Sequence, residues 1–507
     1  MTDANRYDAV VIGGGLGGLT AGARLAKEGR RVLLVEQHSV PGGYATTFRR
    51  KHFTMEVALH EIDGLDGGDP KRKVFEELGV FDAVEFVRVP EFYRVVLEGS
   101  EIVVPDDARR AIAVLTERFP EEAAGIKKFF RVIGGIRDEI SRLPSAPWLT
   151  RLLLPVFPFL YTRLVFNAGK TLGNFLDRAT KNRELKLILA ANVGYYHDDP
   201  YSLSLPFFSA AQAGFFGGGG HYVKGGSQKL SDHLAEAIRA RGGEVLLKHR
   251  VSAILTQHGK AVGVRYESTR GKAGETHEVF ARVVIANAAV PQVASLLPDR
   301  ERLILEKEIR GLSESCSALC VYLGFDRPIK ELGNRCYSTI VHGEGVRDLA
   351  DLAGNFRADY SKRGFVFADY SQIDSGLAPE GKSVGAIVCL DHISNWEKLG
   401  EREYEEKKGE AARALIERLD RMIPGIKGSI EHCEVGTPRT MRRYTSNSAG
   451  AIYGYAQTPR QSGHKRLQSK SPIPNLFFAS AWSNPGGGFT GAILGGWFGA
   501  REAGRAL

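Results

Sequence analysis

A glycine loop near the N-terminus constrains the fold more than any other feature of the sequence. Residues 7–12 form a short apolar run, and residues 13–18 read Gly-Gly-Gly-Leu-Gly-Gly before a helical stretch begins. In such a strand, loop and helix, Gly13 permits the tight turn, Gly15 lets the backbone approach a pyrophosphate, and Gly18 lets helix and strand pack closely. The helix N-terminus behind the loop favours negative charge. The sequence therefore predicts a dinucleotide-binding α/β unit.

A carboxylate follows this unit at the expected distance. A second predicted strand, residues 31–35, ends at Glu36, eighteen positions beyond Gly18. An acid at that spacing binds the ribose hydroxyls of a dinucleotide, and it disfavours the 2′-phosphate of NADP. An ordinary βαβ turn explains a lone glycine motif, but not strand, glycines, helix, strand and acid in this order. The motif alone leaves FAD and NAD open.

The C-terminal end carries another glycine loop. Residues 476–479 form a predicted strand, residues 485–491 read Pro-Gly-Gly-Gly-Phe-Thr-Gly, and residues 492–503 form a predicted helix. Such a loop can bring backbone N–H groups against the pyrimidine edge of a flavin, where the helix dipole stabilises charge on the reduced ring. The alternative, a tight turn before a buried helix, explains four glycines poorly.

The middle of the chain contains no second copy of the first unit. The glycines at 217–220 follow two phenylalanines instead of a strand, so we predict a flexible loop over a site. A helix and strands at residues 244–251, 261–266 and 279–286 come next. Without a nicotinamide domain, a bound flavin would exchange electrons with the substrate and then with oxygen, a quinone or a partner, or catalyse a redox-neutral change.

Further segments at both ends and in the middle of the chain carry a family resemblance. They are Pro41, Gly42 and Gly43; residues 222–226 and 284–288; Thr437, Pro438, Thr440, Tyr444, Thr445, Gly450, Tyr453 and Gly454; and Ala481, Trp482, Asn484 and residues 485–488. Together they resemble the phytoene desaturase, carotenoid isomerase and retinol saturase family of FAD-dependent oxidoreductases. The sequence departs from the family pattern at Tyr44, where an arginine is usual, and at Glu56, where aspartate is expected.

The resemblance implies an α/β fold with a Rossmann-like FAD-binding domain of the amine-oxidase type and a discontinuous α+β substrate domain. We assign residues 1–70, 222–298 and 468–507 to the FAD-binding domain, and residues 71–221 and 299–467 to the substrate domain. The residues that the motifs and the resemblance predict to contact FAD are Gly13, Gly15, Leu16, Gly17, Gly18, Glu36, Gln37, Gly42, Gly43, Tyr44, Val251, Asn287, Ala288, Trp482, Gly487, Gly488, Thr490, Gly491 and Ala492.

The resemblance also implies chemistry on a long apolar unsaturated chain, such as a carotenoid, a retinoid or a fatty-acyl chain. We expect desaturation, saturation or double-bond isomerisation through hydride exchange with flavin N5 and proton movement at the neighbouring carbon. His60, at a position where the retinol-saturase-like members carry histidine, is the first catalytic candidate, followed by Glu61 and Tyr453. A structural histidine and a core tyrosine are the alternatives. Residues 152–166 and 207–216 are predicted to line the substrate tunnel.

Two other functions remain open on this scaffold. One is the oxidation of an amine or a porphyrinogen. The other is a flavin-independent carrier of lipid-bearing or prenylated partners, although the intact glycine loops at both ends of the chain weigh against it.

An uneven charge distribution favours contact with a membrane surface. The chain carries a net charge of +9, and residues 142–186 hold eight basic side chains against two acidic ones around Trp148 and an apolar run at 152–160. Basic and bulky apolar groups together suit an anionic lipid surface better than nucleic acid. The run is about 9 residues long, whereas a spanning helix needs about 20. A solvated helix pair that covers the core is the alternative.

The remaining sequence signals argue against other classes of protein. The five cysteines form no Cys-x-x-Cys pair, and His197, Asp198 and Asp199 before Pro200 indicate a turn better than a metal site, so no metal is predicted. Residues 1–6 are polar and the first apolar stretch is short for a signal peptide. We expect a cytoplasmic protein, peripheral on the inner face of the membrane.

Overall fold

The computed structural model describes residues 6–144, 152–270 and 275–507. Its strands are β1 Arg6–Ile12, β2 Val32–Val35, β3 Thr47–Arg50, β4 Phe53–Glu56, β5 Ile62–Asp63, β6 Phe86–Arg88, β7 Tyr93–Leu97, β8 Ser100–Val104, β9 Gly220–Val223, β10 Glu244–Leu246, β11 His249–Gln257, β12 Lys260–Ser268, β13 Thr276–Ala286, β14 Ser317–Phe325, β15 Ser338–Val341, β16 Phe365–Asp369, β17 Ser383–Asp391, β18 Ile430–Gly436 and β19 Leu476–Phe478.

The described α-helices are α1 Leu16–Lys27, α2 Pro70–Leu78, α3 Val80–Ala83, α4 Ala108–Arg118, α5 Ala123–Ser141, α6 Phe157–Leu160, α7 Thr162–Asn167, α8 Leu172–Ala179, α9 Arg183–Leu189, α10 Leu205–Gly218, α11 Gln228–Arg239, α12 Val290–Ser295, α13 Asp299–Ile309, α14 Asp351–Asn355, α15 Glu401–Met422, α16 Pro438–Thr445 and α17 Gly488–Gly504. Short 3₁₀ helices lie at Pro120–Glu122, Leu154–Val156, Ala191–Tyr195, Ile329–Leu332, Tyr370–Gln372, Ile393–Asn395, Lys427–Ser429, Ser448–Gly450 and Gly463–Lys465.

The first large sheet contains the predicted nucleotide-binding unit. Its strand order is β10-β2-β1-β13-β12-β11, with β19 beside β13. Strands β10, β2, β1, β13 and β19 run parallel, while β11, β12 and β13 form an antiparallel meander. Strand β1 lies between β2 and β13 and packs against helix α1, and a strand buried in this way needs a nearly continuous apolar run. All seven strands fall within the three stretches assigned to the FAD-binding domain, and the domain limits stay a prediction.

Helices α1 and α17 cross on this sheet at positions where a side chain has no room. A Cβ atom on Gly17 would lie 1.9 Å from the carbonyl oxygen of Ala479, and one on Gly496 would lie 2.2 Å from that of Gly17. This close packing brings the two ends of the chain together. Both helices begin earlier than predicted, α1 at Leu16 and α17 at Gly488, because the last glycines of each loop belong to the first helical turn.

The second large sheet has the order β18-β14-β17-β16-β15-β7-β8. Strand β14, which lies between β18 and β17, is buried along its whole length, and its two faces contact different cores. Leu319, Val321 and Leu323 pack with α15, whereas Ala318, Cys320 and Tyr322 share a core with the N-terminal part of the chain. A small third sheet, β5-β9-β6, joins segments from all parts of the first half.

The structure contradicts two sequence predictions about segments. Residues 217–220 are not a flexible loop, because Gly217 and Gly218 end helix α10 and Gly220 begins strand β9. The window 152–166 does not line a tunnel. None of its residues lines the cavity, and most of its large side chains are exposed, Phe159 by 82% and Phe166 by 68%. Trp148 of the same basic and apolar segment lies outside the described residues.

Candidate active site

The predicted site residues converge on one elongated cavity of about 580 Å³. It begins at the carboxyl ends of β1, β2, β13 and β19, where ligands of open α/β sheets bind, and it reaches the second large sheet. All the residues predicted to contact FAD, together with His60, Glu61 and Tyr453, line it, except Gly18. Gly18 instead allows close packing, because a Cβ atom there would lie 2.2 Å from the carbonyl oxygen of Gly13.

Glu36 is fixed at the end of β2 by two backbone groups. Its carboxylate accepts hydrogen bonds from the N–H groups of Gly14, at 2.6 Å, and His38, at 2.8 Å. Gly13 has a φ of 90°, which favours glycine. The N–H of Gly42 donates to the carbonyl of Gly14 at 2.7 Å, so the second glycine pair is attached to the first loop. The carboxylate is thereby held at the cavity wall beside the glycine loop.

Two helix N-termini open on the cavity without a side-chain cap. Gly15 precedes α1 and Gly487 precedes α17, and neither residue has a side chain that could accept from the first-turn N–H groups. Free first-turn N–H groups and the positive end of the dipole attract anions and electron-rich atoms. One cavity with two such ends and a ribose-type carboxylate fits FAD, with the α1 end for the pyrophosphate and the α17 end for the flavin ring.

The end of the cavity around Val251 also contains His38, Arg250 and Ser446, which the sequence did not single out. Val251 on β11 lines the cavity beside His38 and Arg250. Gln37 contacts the hydroxyl of Ser446 at 3.4 Å, and the imidazole of His38 contacts the carbonyl of Tyr444. Residues after α16 therefore cover this end, a relationship that no local sequence pattern carries.

Trp482 is held by a buried arginine that sequence reasoning missed. Arg466 donates to the carbonyl groups of Ala481, Ser483 and Tyr455 at 2.7 to 3.1 Å, and burial lowers its pKa to about 9. The indole N–H of Trp482 donates to Asn447 at 3.3 Å. This arrangement fixes the loop that leads to the second glycine run.

The segment that carries His60 and Glu61 is attached at its start by Glu56. The buried carboxylate of Glu56 accepts from the hydroxyl of Tyr222 at 2.9 Å, and from the N–H and hydroxyl of Ser227 at 2.8 and 2.6 Å. Burial raises the pKa of Glu56, and these hydrogen bonds oppose that shift. The acid at a position where aspartate was expected thus has a structural role.

His60 and Glu61 line the cavity, and burial shifts their pKa values in opposite directions. The Nδ1 atom of His60 lies 3.3 Å from the hydroxyl of Tyr195, and burial lowers the pKa of His60 to about 4. Both carboxyl oxygens of Glu61 are buried and have no hydrogen-bond partner among the described residues. Burial, followed by the nearby carboxyls of Glu91, Asp106 and Asp63, raises the pKa of Glu61 well above its usual value. Burial therefore favours the neutral form of both side chains.

Tyr453 forms part of the cavity wall. Its hydroxyl donates to the carbonyl of Gly194 at 3.2 Å, and burial raises its pKa. Tyr455, two residues on, packs edge-on against Trp482 and does not line the cavity. A hydroxyl that is already engaged with the backbone suits a positioning role, and the catalytic assignment of Tyr453 stays a prediction.

The far part of the cavity is predominantly apolar. Part of the predicted 207–216 window lines it, together with the end of α5 and the second sheet. These lining residues are Phe207, Ala210, Ala211, Phe215, Ile140, Val366, Val388 and Leu390. The tyrosine pair Tyr195 and Tyr196, which the sequence did not single out, completes the wall.

An ionic group supports the α17 end. The hydroxyl of Thr490 donates to Asp63 at 2.5 Å, and the buried ammonium of Lys71 lies 3.6 Å from the same carboxylate while it also contacts Asp69. The described ranges hold no group of three His, Cys, Asp or Glu side chains arranged for a metal ion. His197 to Asp199 form a turn in which Asp199 accepts from the N–H of Tyr201 at 2.8 Å.

Known proteins resemble this chain over nearly its whole length. The family model described as "Flavin containing amine oxidoreductase" matches residues 16–503. "Prolycopene isomerase 2, chloroplastic" of an Oncidium hybrid cultivar is 29% identical over 478 residues, with 91% of this chain and 77% of that protein covered. "All-trans-retinol 13,14-reductase" of Danio rerio is 27% identical over 513 residues, with 93% and 81% covered.

Solved structures share the fold. Cyclohexylamine oxidase from Brevibacterium oxydans matches with a TM-score of 0.62 at 16% identity, and the match covers 99% of this chain and 98% of that one. The resemblance inferred from the sequence, the predicted fold class and the predicted cofactor are confirmed.

Proposed function

The chain belongs to the flavin containing amine oxidoreductase family and is an FAD-dependent enzyme, and from that premise we propose that it desaturates, saturates or isomerises a long apolar unsaturated substrate. The observation that carries the proposal is the continuity of one cavity. It joins two uncapped helix N-termini at one side to an apolar wall at the other. A flavin held at the first side would face a substrate held at the second.

The apolar wall favours a hydrocarbon chain over a charged amine. Each buried CH₂ group contributes about 0.8 kcal/mol, so a substrate of many carbons gains affinity along Phe207, Phe215 and Leu390. The relatives are named for prolycopene and for all-trans-retinol, which supports a substrate of the same apolar kind. A carotenoid, a retinoid and a fatty-acyl chain all fit this description.

The residues of the chain position the substrate and hold a proton. Bound FAD supplies hydride exchange at N5. The apolar wall excludes water, and Tyr195 and Tyr453 keep the substrate between that wall and the glycine loops. Glu61 holds a proton close to the carboxyls of other acids, and the neutral imidazole of His60 accepts a hydrogen bond beside it. Proton movement at one substrate carbon then accompanies hydride movement at its neighbour.

We also propose that the protein works at the inner face of a membrane and transfers electrons to oxygen or a quinone. No helix within the described ranges is long and apolar enough to cross a bilayer. The chain instead exposes an apolar surface, which we call the apolar ledge. It consists of Leu152, Leu154, Val156, Phe159, Leu160, Val165 and Phe166.

The apolar ledge is attached to a helix that reaches the cavity. The buried carboxylate of Glu139 on α5 accepts from the N–H groups of Arg163 and Leu164, at 3.2 and 2.8 Å, and so fixes α7 against α5. Ile140 and Ser141, at the end of the same helix, line the cavity. If the apolar ledge entered the headgroup region of a membrane, the cavity would therefore lie close to apolar substrate dissolved in the bilayer.

Anaerobic reduction or oxidation of the bound flavin tests the proposed activity. The purified holoprotein is mixed with carotenoids, retinoids and unsaturated fatty acids, and with amines and a porphyrinogen as comparators, while the flavin spectrum is recorded. We expect a polyene or fatty-acyl chain to change the flavin spectrum or to be isomerised, and the amines to have no effect. Reaction with amines or the porphyrinogen alone would overturn the proposal, and a colourless protein that binds lipid without flavin would identify a carrier.

A further inference from the structure

The glycine run at 217–220 makes room for charged groups. A Cβ atom on Gly219 would lie 2.6 Å from both the carboxylate of Asp106 and the guanidinium of Arg88. A Cβ atom on the next residue, Gly220, would lie 3.2 Å from the carboxyl of Glu61. Two neighbouring glycines at the start of strand β9 therefore lie against the Arg88–Asp106 ion pair and against a carboxyl group of the cavity.

That ion pair extends to the surface. Arg88 Nη2 lies 2.6 Å from Asp106 Oδ2, and the Arg88 side chain is 57% exposed while that of Asp106 is 5% exposed. The carboxylate of Asp106 is thus positioned just beneath solvent. Gly219 has a φ of 75°, a conformation that other residues rarely adopt. A larger residue there would collide with the Arg88–Asp106 pair.

The cavity end is a carboxyl that the fold leaves without a partner. Glu61 lines the cavity, and both its oxygens are buried and without a hydrogen bond in the described part of the chain. His221, next to Gly220, likewise has a buried Nδ1 atom with no partner in that part. Buried polar atoms without a protein partner are commonly satisfied by ordered water, and we call the space between Glu61 and Asp106 beside Gly219 and Gly220 the passage.

We propose that Asp106 exchanges protons between solvent and Glu61 across Gly219 and Gly220, so that Glu61 is recharged from the surface and not through the apolar substrate channel. This inference rests on the proposed function, in which Glu61 exchanges a proton with the substrate. Each step moves one proton and no electrons. Glu61 passes its proton to the reacting carbon and regains one from Asp106, which takes one from water, and the reverse order serves proton removal.

The groups around the passage favour this direction of transfer. Glu61 faces the acids Glu91, Asp106 and Asp63. Asp106 is held by Arg88, and His221 faces Arg88 and Lys71 as well as Asp106. Glu91 is engaged by the N–H of Tyr337 at 2.5 Å. The carboxyl of Glu61 is therefore surrounded by acids, and Asp106 is the one among them that is paired with an exposed cation.

Hydrogen–deuterium exchange of the Glu61 carboxyl tests the proposal without a substrate. Infrared difference spectra of the holoprotein after transfer to D₂O report the C=O band of a protonated carboxyl, and Glu61→Gln assigns the band. We expect exchange to slow about tenfold or more in Asp106→Asn. Asp107→Asn is the matched control, because Asp107 is exposed and caps α4 through the N–H of Arg110, a role that Asn also fills.

Two further variants keep the outcome decisive. Gly220→Ala narrows the passage and should slow exchange while leaving Asp106 in place, and Asp106→Glu or added formate should restore the rate. An unchanged exchange rate in Asp106→Asn and Gly220→Ala, or the absence of a protonated Glu61 band, would overturn the proposal. Failure of the substrate panel alone would remove the proposed function and leave the measured proton route intact.

Discussion

The hydroxyl of Tyr337 donates a hydrogen bond to the backbone carbonyl of His60 at 2.5 Å. Two more tyrosines of the second large sheet and its connections act on the same segment, because Tyr322 donates to Val57 at 2.9 Å and Tyr370 donates to Leu59 at 2.7 Å. The second sheet thus fixes the backbone that presents His60 and Glu61. These hydrogen bonds join the second large sheet to residues 57–60 of the N-terminal part of the chain.

Removal of the Tyr337 hydroxyl should misplace that segment. Tyr337→Phe is expected to reduce turnover several-fold and to lower stability by about 1 kcal/mol, while FAD content stays at the level of the unmodified protein. Tyr404→Phe is the control, because its hydroxyl contacts Thr437 at 2.9 Å away from the cavity and its loss should reduce stability alone. Equal turnover losses in the two variants would contradict the positioning role.

His60 should influence turnover without a protonation step near neutral pH. Its pKa of about 4 keeps the imidazole neutral across the physiological range. We expect His60→Ala to lower turnover with flavin still bound. Because the imidazole stays neutral, the pH profiles of turnover for the unmodified enzyme and for His60→Ala should not differ by an inflection near pH 6 to 7. Unchanged turnover of a flavin-loaded His60→Ala variant would end the assignment.

Glu61 should lower the stability of the folded protein as pH rises. Its carboxyl has a raised pKa in the folded state, so above the ordinary glutamate pKa of about 4.3 the folded chain binds more protons than the unfolded chain. Stability that is present at low pH is then lost as pH increases. Glu61→Gln removes this loss, and its melting temperature relative to the unmodified holoprotein should rise as pH increases above about 4.3. A difference that is constant with pH would show an ionised Glu61.

The apolar ledge should control binding to anionic vesicles. Phe159→Ser combined with Phe166→Ser removes two exposed aromatic groups, and we expect the partition coefficient to fall about tenfold or more in cosedimentation. Added salt should weaken binding further, because the basic excess acts through headgroup charge. Leu303→Ser with Ile304→Ser is the control, since these exposed side chains lie on α13 outside the ledge. Equal binding of both double variants would contradict the membrane proposal.

The sequence predicted the strand, glycine loop and helix that line the cavity near the N-terminus. Strand, glycine loop, helix and Glu36 follow one another within thirty residues, so short-range patterns define them. The tyrosines that hold residues 57–60 come from positions more than 260 residues away, and no spacing in the sequence connects them. The glycines at 217–220 were misassigned because a glycine needed for close approach of charged groups looks the same in sequence as one needed for a turn. The apolar residues within 152–166 fit a tunnel wall and a membrane contact equally well, so the sequence could not distinguish the two.

A crystal structure of the native holoprotein with a bound polyene would locate cofactor and substrate in one experiment. We expect density for FAD from Glu36 to Gly487, with the polyene along Phe207 and Phe215 and one double bond beside Glu61. Density for another ligand between the two glycine loops, or a polyene bound outside this cavity, would contradict it.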